Sequence, residues 1–237
     1  KLGDQQRAEA INRWILDVLP QAREALGELD SMYEGQDRWA DLHGILEREC
    51  EAAEYEDEKV KFYLRSGAIQ RDRLNDGDGA VFAFRQVLRI DEMHRDALNA
   101  LADLHEGREE HEDLFKVLGT LADIAPTGAE RAVIQRRMAK IAEGNLGQKD
   151  KALELWEEIS RIVADDVTAL HELQRLYSGK EDWTAFVDAS EREIPLVRDD
   201  AERTTTLLRQ IARAAEEFLA DGYQAQRSYS IASAPEE

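Results

Sequence analysis

The chain has 237 residues, with 31 lysines and arginines against 51 aspartates and glutamates, a net charge of −20 at pH 7. Such an excess of negative charge argues against nucleic acid and anionic membranes as partners, and no apolar run approaches the ~18 residues of a membrane span. Only four prolines and 14 glycines occur, too few for a turn-rich β-sandwich of this length, while 43% hydrophobic residues suffice for a helical core.

In chain order, the periodicity of apolar positions predicts an unpaired helix over 4–19, then six helix pairs at 22–53, 58–91, 94–125, 128–163, 166–195 and 199–234. The first pair opens with EALGELDSMYEG (24–35), whose skeleton returns as DALNALADLHEG (96–107) and TALHELQRLYSG (168–179). Ala25, Ala97 and Ala169 stand 72 residues apart, as do Leu29, Leu101 and Leu173, and Gly35, Gly107 and Gly179 close each copy. A repeat this regular governs the reading of everything else.

A second helix follows each copy. Asp37, Asp113 and Asp182, just ahead of Trp39, Leu114 and Trp183, are expected to cap these helices through their carboxylates. The longer segments 58–75, 128–146 and 199–220 come next; Thr127 with Glu130, and Asp199 with Glu202, have capping-box spacing. Each is followed by a further helix, in which Ala80 and Phe84 match Ala152 and Trp156, then Ala225 and Tyr229. Ala10 and Trp14 read as an earlier copy. Asp78 and Asp150 are expected caps there, and Pro20, Pro126, Pro195 and Pro235 fall near junctions.

A helical hairpin of about 36 residues resembles the tetratricopeptide repeat (TPR). Leu170, Leu173 and Tyr177 fit the first helix of that signature, and Ala152 with Trp156 fit the second. Its small first-helix position is filled by Gly67, Ala102, Ala139 and Ala212, but departs to Asp30 and Gln174, where looser packing is expected. The resemblance implies an all-α, right-handed α-solenoid spanning 1–237 as a single array, each hairpin burying its apolar face on its neighbour. Ala25, Ala97 and Ala169 are then close-approach positions, and Trp14, Trp39, Phe84, Trp156 and Trp183 core fillers.

Chemistry is sparse. Cys50 is the only cysteine, so neither a disulfide nor a thiolate cage forms; this fits a reducing compartment, the cytoplasm favoured over the periplasm. The start at Lys1 and the ending SAPEE are expected to be cuts inside a longer protein. His105, Glu109 and His111 have the wrong spacing for a zincin helix, and NDGDGA (75–80) fails the calcium-loop register. No enzyme and no cofactor are expected.

The resemblance also places groove positions on the first helices. They are Arg136 and Lys140, His171 and Arg175, and Arg209 and Arg213, each couple spaced i, i+4 on one helix face. The corresponding sites of the first half are Gly27 and Ser31, Leu64 and Ala68, Asn99 and Asp103. The expected function is a protein-interaction scaffold whose concave groove holds an acidic peptide or helix of a partner. The competing reading is self-assembly through the terminal hairpins, giving a homo-oligomer. Pairing of the cations with Glu143 and Glu216 would leave no groove site.

Overall fold

A computed structural model describes residues 2–220 and 222–232. The described residues form thirteen α-helices and one short 3-10 turn, with no strand among them. They fall into two compact units, one up to Leu121 and one from Ala122.

The first unit contains α1 (Leu2–Val18), α2 (Arg23–Gly35), α3 (Trp39–Ala52), α4 (Glu56–Asp72), α5 (Gly77–Ile90), α6 (Arg95–Gly107) and most of α7 (His111–Asp123). Successive helices from α1 to α6 pack on one another. The second unit contains α8 (Gly128–Gly144), α9 (Lys149–Ile162), α10 (Val167–Gly179), α11 (Trp183–Glu193), the turn Ile194–Leu196, α12 (Ala201–Glu217) and α13 (Gly222–Ala232). Here too each helix packs on the next. The sixth expected hairpin thus ends within the described residues at Ala232, and Pro235 lies outside them.

The repeat is visible in the helix boundaries. The short first helices α2, α6 and α10 begin at 23, 95 and 167 and end at 35, 107 and 179, in steps of 72. The second helices α3, α7 and α11 begin at 39, 111 and 183. The residue two positions before each of these second helices lies in the left-handed region: Asp37 at φ 54°, Glu109 at 57° and Glu181 at 60°. The same joint is made three times. The 17-residue helices α4, α8 and α12 begin at 56, 128 and 201, so one extra residue enters ahead of α12, beside the 3-10 turn. Short and long helical hairpins thus alternate along the chain, an arrangement that resembles the TPR architecture.

Packing follows the small residues. Ala25, Ala97 and Ala169 are at most 2% exposed. Gly67 is needed where α4 crosses α5, because a Cβ there would lie 2.8 Å from the Phe84 ring. Phe84 and Trp156 are buried, while Trp39 and Trp183 are half-buried. Trp14 is not core. Its ring is 65% exposed, because α1 ends at Val18, 72 residues before Ile90 of α5, so that Asn12 rather than Trp14 is the counterpart of Phe84. Arg48 donates to the carbonyl of Leu16 at 3.0 Å, and Arg192, 144 positions later, to that of Ser160 at 3.1 Å. These bonds tie second helices to their neighbours twice in the same register.

The caps are partly as expected. Thr127 accepts from the Glu130 amide and Asp182 from that of Ala185. Asp200, not Asp199, caps α12, accepting from Arg203. Asp76, not Asp78, caps α5 through Gly79. Asp37 takes the left-handed position instead of capping, since the helix starts two residues later. Asp113 and Asp150 lie inside the first turns of α7 and α9, where their charges favour the positive helix end without serving as caps.

The departures Asp30 and Gln174 do not loosen their hairpins. Both are buried, each in a polar cluster. Arg65 grips Asp30 with two bonds, one of them 2.7 Å, and the buried Glu49 is a neighbour of Asp30. Burial, then the neighbouring Asp30 charge, push the Glu49 carboxyl up to about 7. Gln174 donates to Glu193 at 2.6 Å, and Arg203 clamps Glu193 at 2.7 and 2.9 Å while reaching Gln174 at 3.3 Å. Glu49 and Glu193 are again 144 apart. A polar residue at the small position is accompanied both times by a buried carboxylate on the next helix: Gln174 is bonded to Glu193 as buried polar groups require, whereas Glu49 Oε2 has no hydrogen-bond partner among the described residues.

Candidate functional site

The second unit brings the six expected groove residues onto α8, α10 and α12, but not in one chemical state. Arg136, at one third of full exposure, donates to Asp166 through Nε at 3.0 Å and also through its terminal nitrogen. Asp166 is buried, and its other oxygen caps α10 by accepting from Ala169 at 3.2 Å. Arg136 is thus a strut between α8 and α10. Arg175 forks onto Glu143 at 2.9 and 2.5 Å and reaches Glu172 at 2.9 Å. That bond holds the Glu143 carboxyl below its usual range and raises the Arg175 guanidinium. Arg213 pairs with Glu217 at 3.0 Å along its own helix, while Glu216 receives the Tyr229 hydroxyl. Lys140, His171 and Arg209 are exposed and make no ion pair among the described residues.

Two pockets open beside these side chains. One, of 280 Å³, is lined by Lys140, Glu143 and Gly144 of α8, Trp156 of α9, and Glu172 and Arg175 of α10. The other, of 330 Å³, is lined by Ser178 of α10, Trp183 and Phe186 of α11, Gln210, Arg213 and Ala214 of α12, and Phe218 just after it. The repeat explains their likeness: each lies between successive first helices, floored by an indole of the second helix between them. In the second pocket Phe218 stacks on Trp183 at 4.1 Å with planes 8° apart, and remains 49% exposed. Such a stack offers a rigid apolar surface beside a cation.

Phe218 takes the position just after α12 that Arg73 takes after α4, where the Arg73 guanidinium lies over Trp39 at 4.9 Å; at this place in the second unit the indole's partner is aromatic instead of cationic. The groove positions of the first unit lack charge of this sign. Ser31 there hydrogen-bonds the Gly27 carbonyl, Leu64 and Ala68 are half-buried, and Asn99 and Asp103 are exposed.

Elsewhere, His105, Glu110 and Asp113 place their ligand atoms within 4.8 Å of one another, a different trio from the His105, Glu109 and His111 of the sequence. His105 takes the place of Tyr33 and Tyr177, and like them it bonds a carboxylate: Glu110 at 2.5 Å, against Glu9 at 3.1 Å and Glu157 at 2.8 Å. Lys116 already holds Asp113 at 3.1 Å and Arg108 approaches Glu110 at 3.7 Å. The trio reads as a compensated structural cluster. Cys50 is buried, and burial together with Glu49 pushes its thiol up to about 12, so it is not a nucleophile at neutral pH. Among the described residues no helix is long and apolar enough to cross a membrane.

No family model and no curated protein matches the chain. Among solved structures it is similar to MamA, with a TM-score of 0.44 and 18% identity over 74% of this chain and 91% of that one. It is also similar to YrrB, a TPR protein with an unusual peptide-binding site (TM-score 0.43, 10% identity, 76% and 91% covered). A third is the C-terminal part of a TPR repeat-containing protein from Cytophaga hutchinsonii (TM-score 0.46, 10% identity, 96% and 88% covered).

Proposed function

We propose that the chain is a non-enzymatic protein-interaction scaffold whose second unit receives an acidic peptide, or one face of an acidic helix, along α8, α10 and α12. The observation that carries this reading is the pair of indole-floored pockets, one lined by the exposed Lys140, together with the exposed Arg209 on α12, neither cation ion-paired among the described residues. Carboxylates of the ligand meet Lys140 and Arg209, and an apolar or aromatic side chain sits against Trp183 and Phe218. Arg136, Arg175 and Arg213 keep their own carboxylates and serve to shape the surface. Exposed ion pairs contribute about 0–1 kcal/mol each, so affinity arises from several contacts together and falls with salt.

The test is fluorescence anisotropy with labelled Glu-rich peptides carrying or lacking one Phe. The expected result is salt-sensitive binding, strengthened by the Phe and lost in the double variant Lys140→Glu with Arg209→Glu, whose circular dichroism stays unchanged. Equal binding by parent and double variant, or none by the parent, overturns the assignment.

A further inference from the structure

A cleft of 610 Å³ opens in the first unit between α3, α4 and α5. The repeat builds it twice: a cleft of 680 Å³ occupies the matching place between α11, α12 and α13 of the second unit. The two share positions but not chemistry. In the second, the long helix supplies Leu208 and Ile211, and Arg227 stands on α13. In the first, these places carry Tyr63, Ser66 and Phe82. The fold makes the cleft, and the residues of the first unit make it polar within and aromatic at its edge.

The polar part is buried where the repeat needs nothing polar. Ser66 and Gln70 are 4% and 3% exposed. Their counterparts are Met138 and Ala142 on α8, and Ile211 and Ala215 on α12, all buried. The Gln70 amide donates to the Ser66 hydroxyl at 2.9 Å, and that hydroxyl also bonds His43 Nδ1 at 3.1 Å. Gln70 Oε1 accepts from no group among the described residues. Gly79 makes room for it, since a Cβ there would lie 1.6 Å away; the counterparts of Gly79 are Lys151 and Gln224. An amide and a hydroxyl taken out of water cost stability that apolar residues at these places would not. A buried acceptor left open toward a cleft calls for a donor from outside.

The mouth states which donor. Glu47 and Glu51 are exposed on α3; among the described residues Glu47 approaches only His43, at 3.8 Å, and Glu51 makes no ion pair. Asp78 is held by Arg108 at 2.8 Å, and against these carboxylates the lining sets Lys59. The balance is negative. Phe82, 62% exposed, and the half-buried Tyr63 add aromatic faces. A guanidinium meets all of this: planar and always charged, it stacks on rings, bonds carboxylates and has donors to spare for Gln70.

We infer that the cleft between α3, α4 and α5 is a pocket for an arginine side chain from a basic segment of a protein partner. The guanidinium donates to Gln70 Oε1, Glu47 and Glu51 balance its charge, and Phe82 covers it. This pocket lies in the first unit, takes the opposite charge to the surface on α8, α10 and α12, and does not depend on it.

Fluorescence anisotropy of the 237-residue chain at low ionic strength tests this, with protein titrated over about 1–1000 µM. The probes are labelled pentapeptides of alanine whose central residue is arginine, lysine or citrulline, the neutral isostere of arginine. The arginine peptide is expected to bind at least about tenfold more tightly than the citrulline peptide, with lysine between. Phe82→Arg, which installs the residue α13 carries at this place, is expected to abolish binding. Its circular dichroism and melting temperature should stay those of the parent, because position 82 is exposed. Ser66→Met with Gln70→Ala, which installs the residues of α8, should lose binding too. Glu154→Gln removes one negative charge at the matching place of α9 and should bind as the parent does. No binding by the parent, or equal binding of the arginine and citrulline peptides, overturns the proposal. Undiminished binding by Phe82→Arg overturns it as well, and so does equal weakening by Phe82→Arg and Glu154→Gln, which would assign the binding to the acidic surface at large.

Discussion

Arg136 and Asp166 form a single joint between α8 and α10: the guanidinium donates to one carboxylate oxygen, at 3.0 Å through Nε, while the other oxygen accepts from the Ala169 amide. The residue that the sequence offers as a ligand for acidic partners is therefore a ligand for the protein's own helix start. Arg136→Ala leaves a nearly buried carboxylate without its cation. It is expected to cost about 1–3 kcal/mol, against at most about 0.5 for the exposed Arg209→Ala. Urea denaturation compares the two, and equal midpoints would show that the joint is idle.

Close approach at Gly67 and Ala97 gives a second expectation. Gly67→Ala drives a methyl into the Phe84 ring, and Ala97→Trp forces an indole into a fully buried site. Both should destabilise by about 1–3 kcal/mol or more through overpacking. Thermal melting at or above the parent's in either variant would contradict the packing described.

Glu49 gives a pH dependence with a definite sign. Its carboxyl titrates near 7 in the folded protein, above the usual 4.5, with Asp30 and Arg65 as its charged neighbours. Between those values the folded state holds a proton that the unfolded state has released, so this group's contribution is present below about 4.5 and is lost as pH rises through 7. Glu143, Asp113 and Asp72 act oppositely, because their carboxyls are held low by Arg175, Lys116 and Arg71 and lose their contribution as pH falls. Glu49→Gln should raise stability at pH 8 relative to pH 5 when each is compared with the parent. Parallel stability profiles from pH 5 to 8 would rule out the shifted carboxyl.

The left-handed joints offer a gain. Non-glycine residues at φ near 57° carry a penalty of about 1 kcal/mol, partly offset by the backbone freedom glycine adds to the unfolded chain. Glu109→Gly and Glu181→Gly, at φ 57° and 60°, are each expected to stabilise by about 0.5 kcal/mol. A fall in melting temperature in either variant would mean that the side chain contributes more than the backbone strain costs.

The 72-residue period was readable because close-packed alanines recur wherever helices cross, and packing tolerates few alternatives there. What the sequence could not reveal came from partners far along the chain. Asp30 and Gln174 were recognisable as exceptions, but Arg65 and Glu193 lie 35 and 19 residues away, on other helices. Trp14 was misplaced because an Ala and an aromatic at a spacing of 70 imitate the repeat, and only the helix ends reveal the register of 72. The cations were found by position, but whether each is free depends on neighbours such as Glu143 and Asp166, 32 and 30 residues distant. Phe218 stands where Arg73 and Asn145 follow the other long helices, and three residue types so unlike give no periodic signal in the sequence.

The left-handed joints at Asp37, Glu109 and Glu181 give three short hairpins the same entry into their second helix. The chain passes from the second helix of a long pair to the first helix of a short pair at a boundary that already exists twice, at His94 before α6 and Asp166 before α10. Cutting out residues 95–166 and joining His94 to Val167 would seat α10 on α5 as α6 now sits, and inserting another such block would lengthen the array by that block. A gene duplication in steps of 72 residues would thus keep the helix boundaries, while the cap at each new boundary would be either His94 or Asp166.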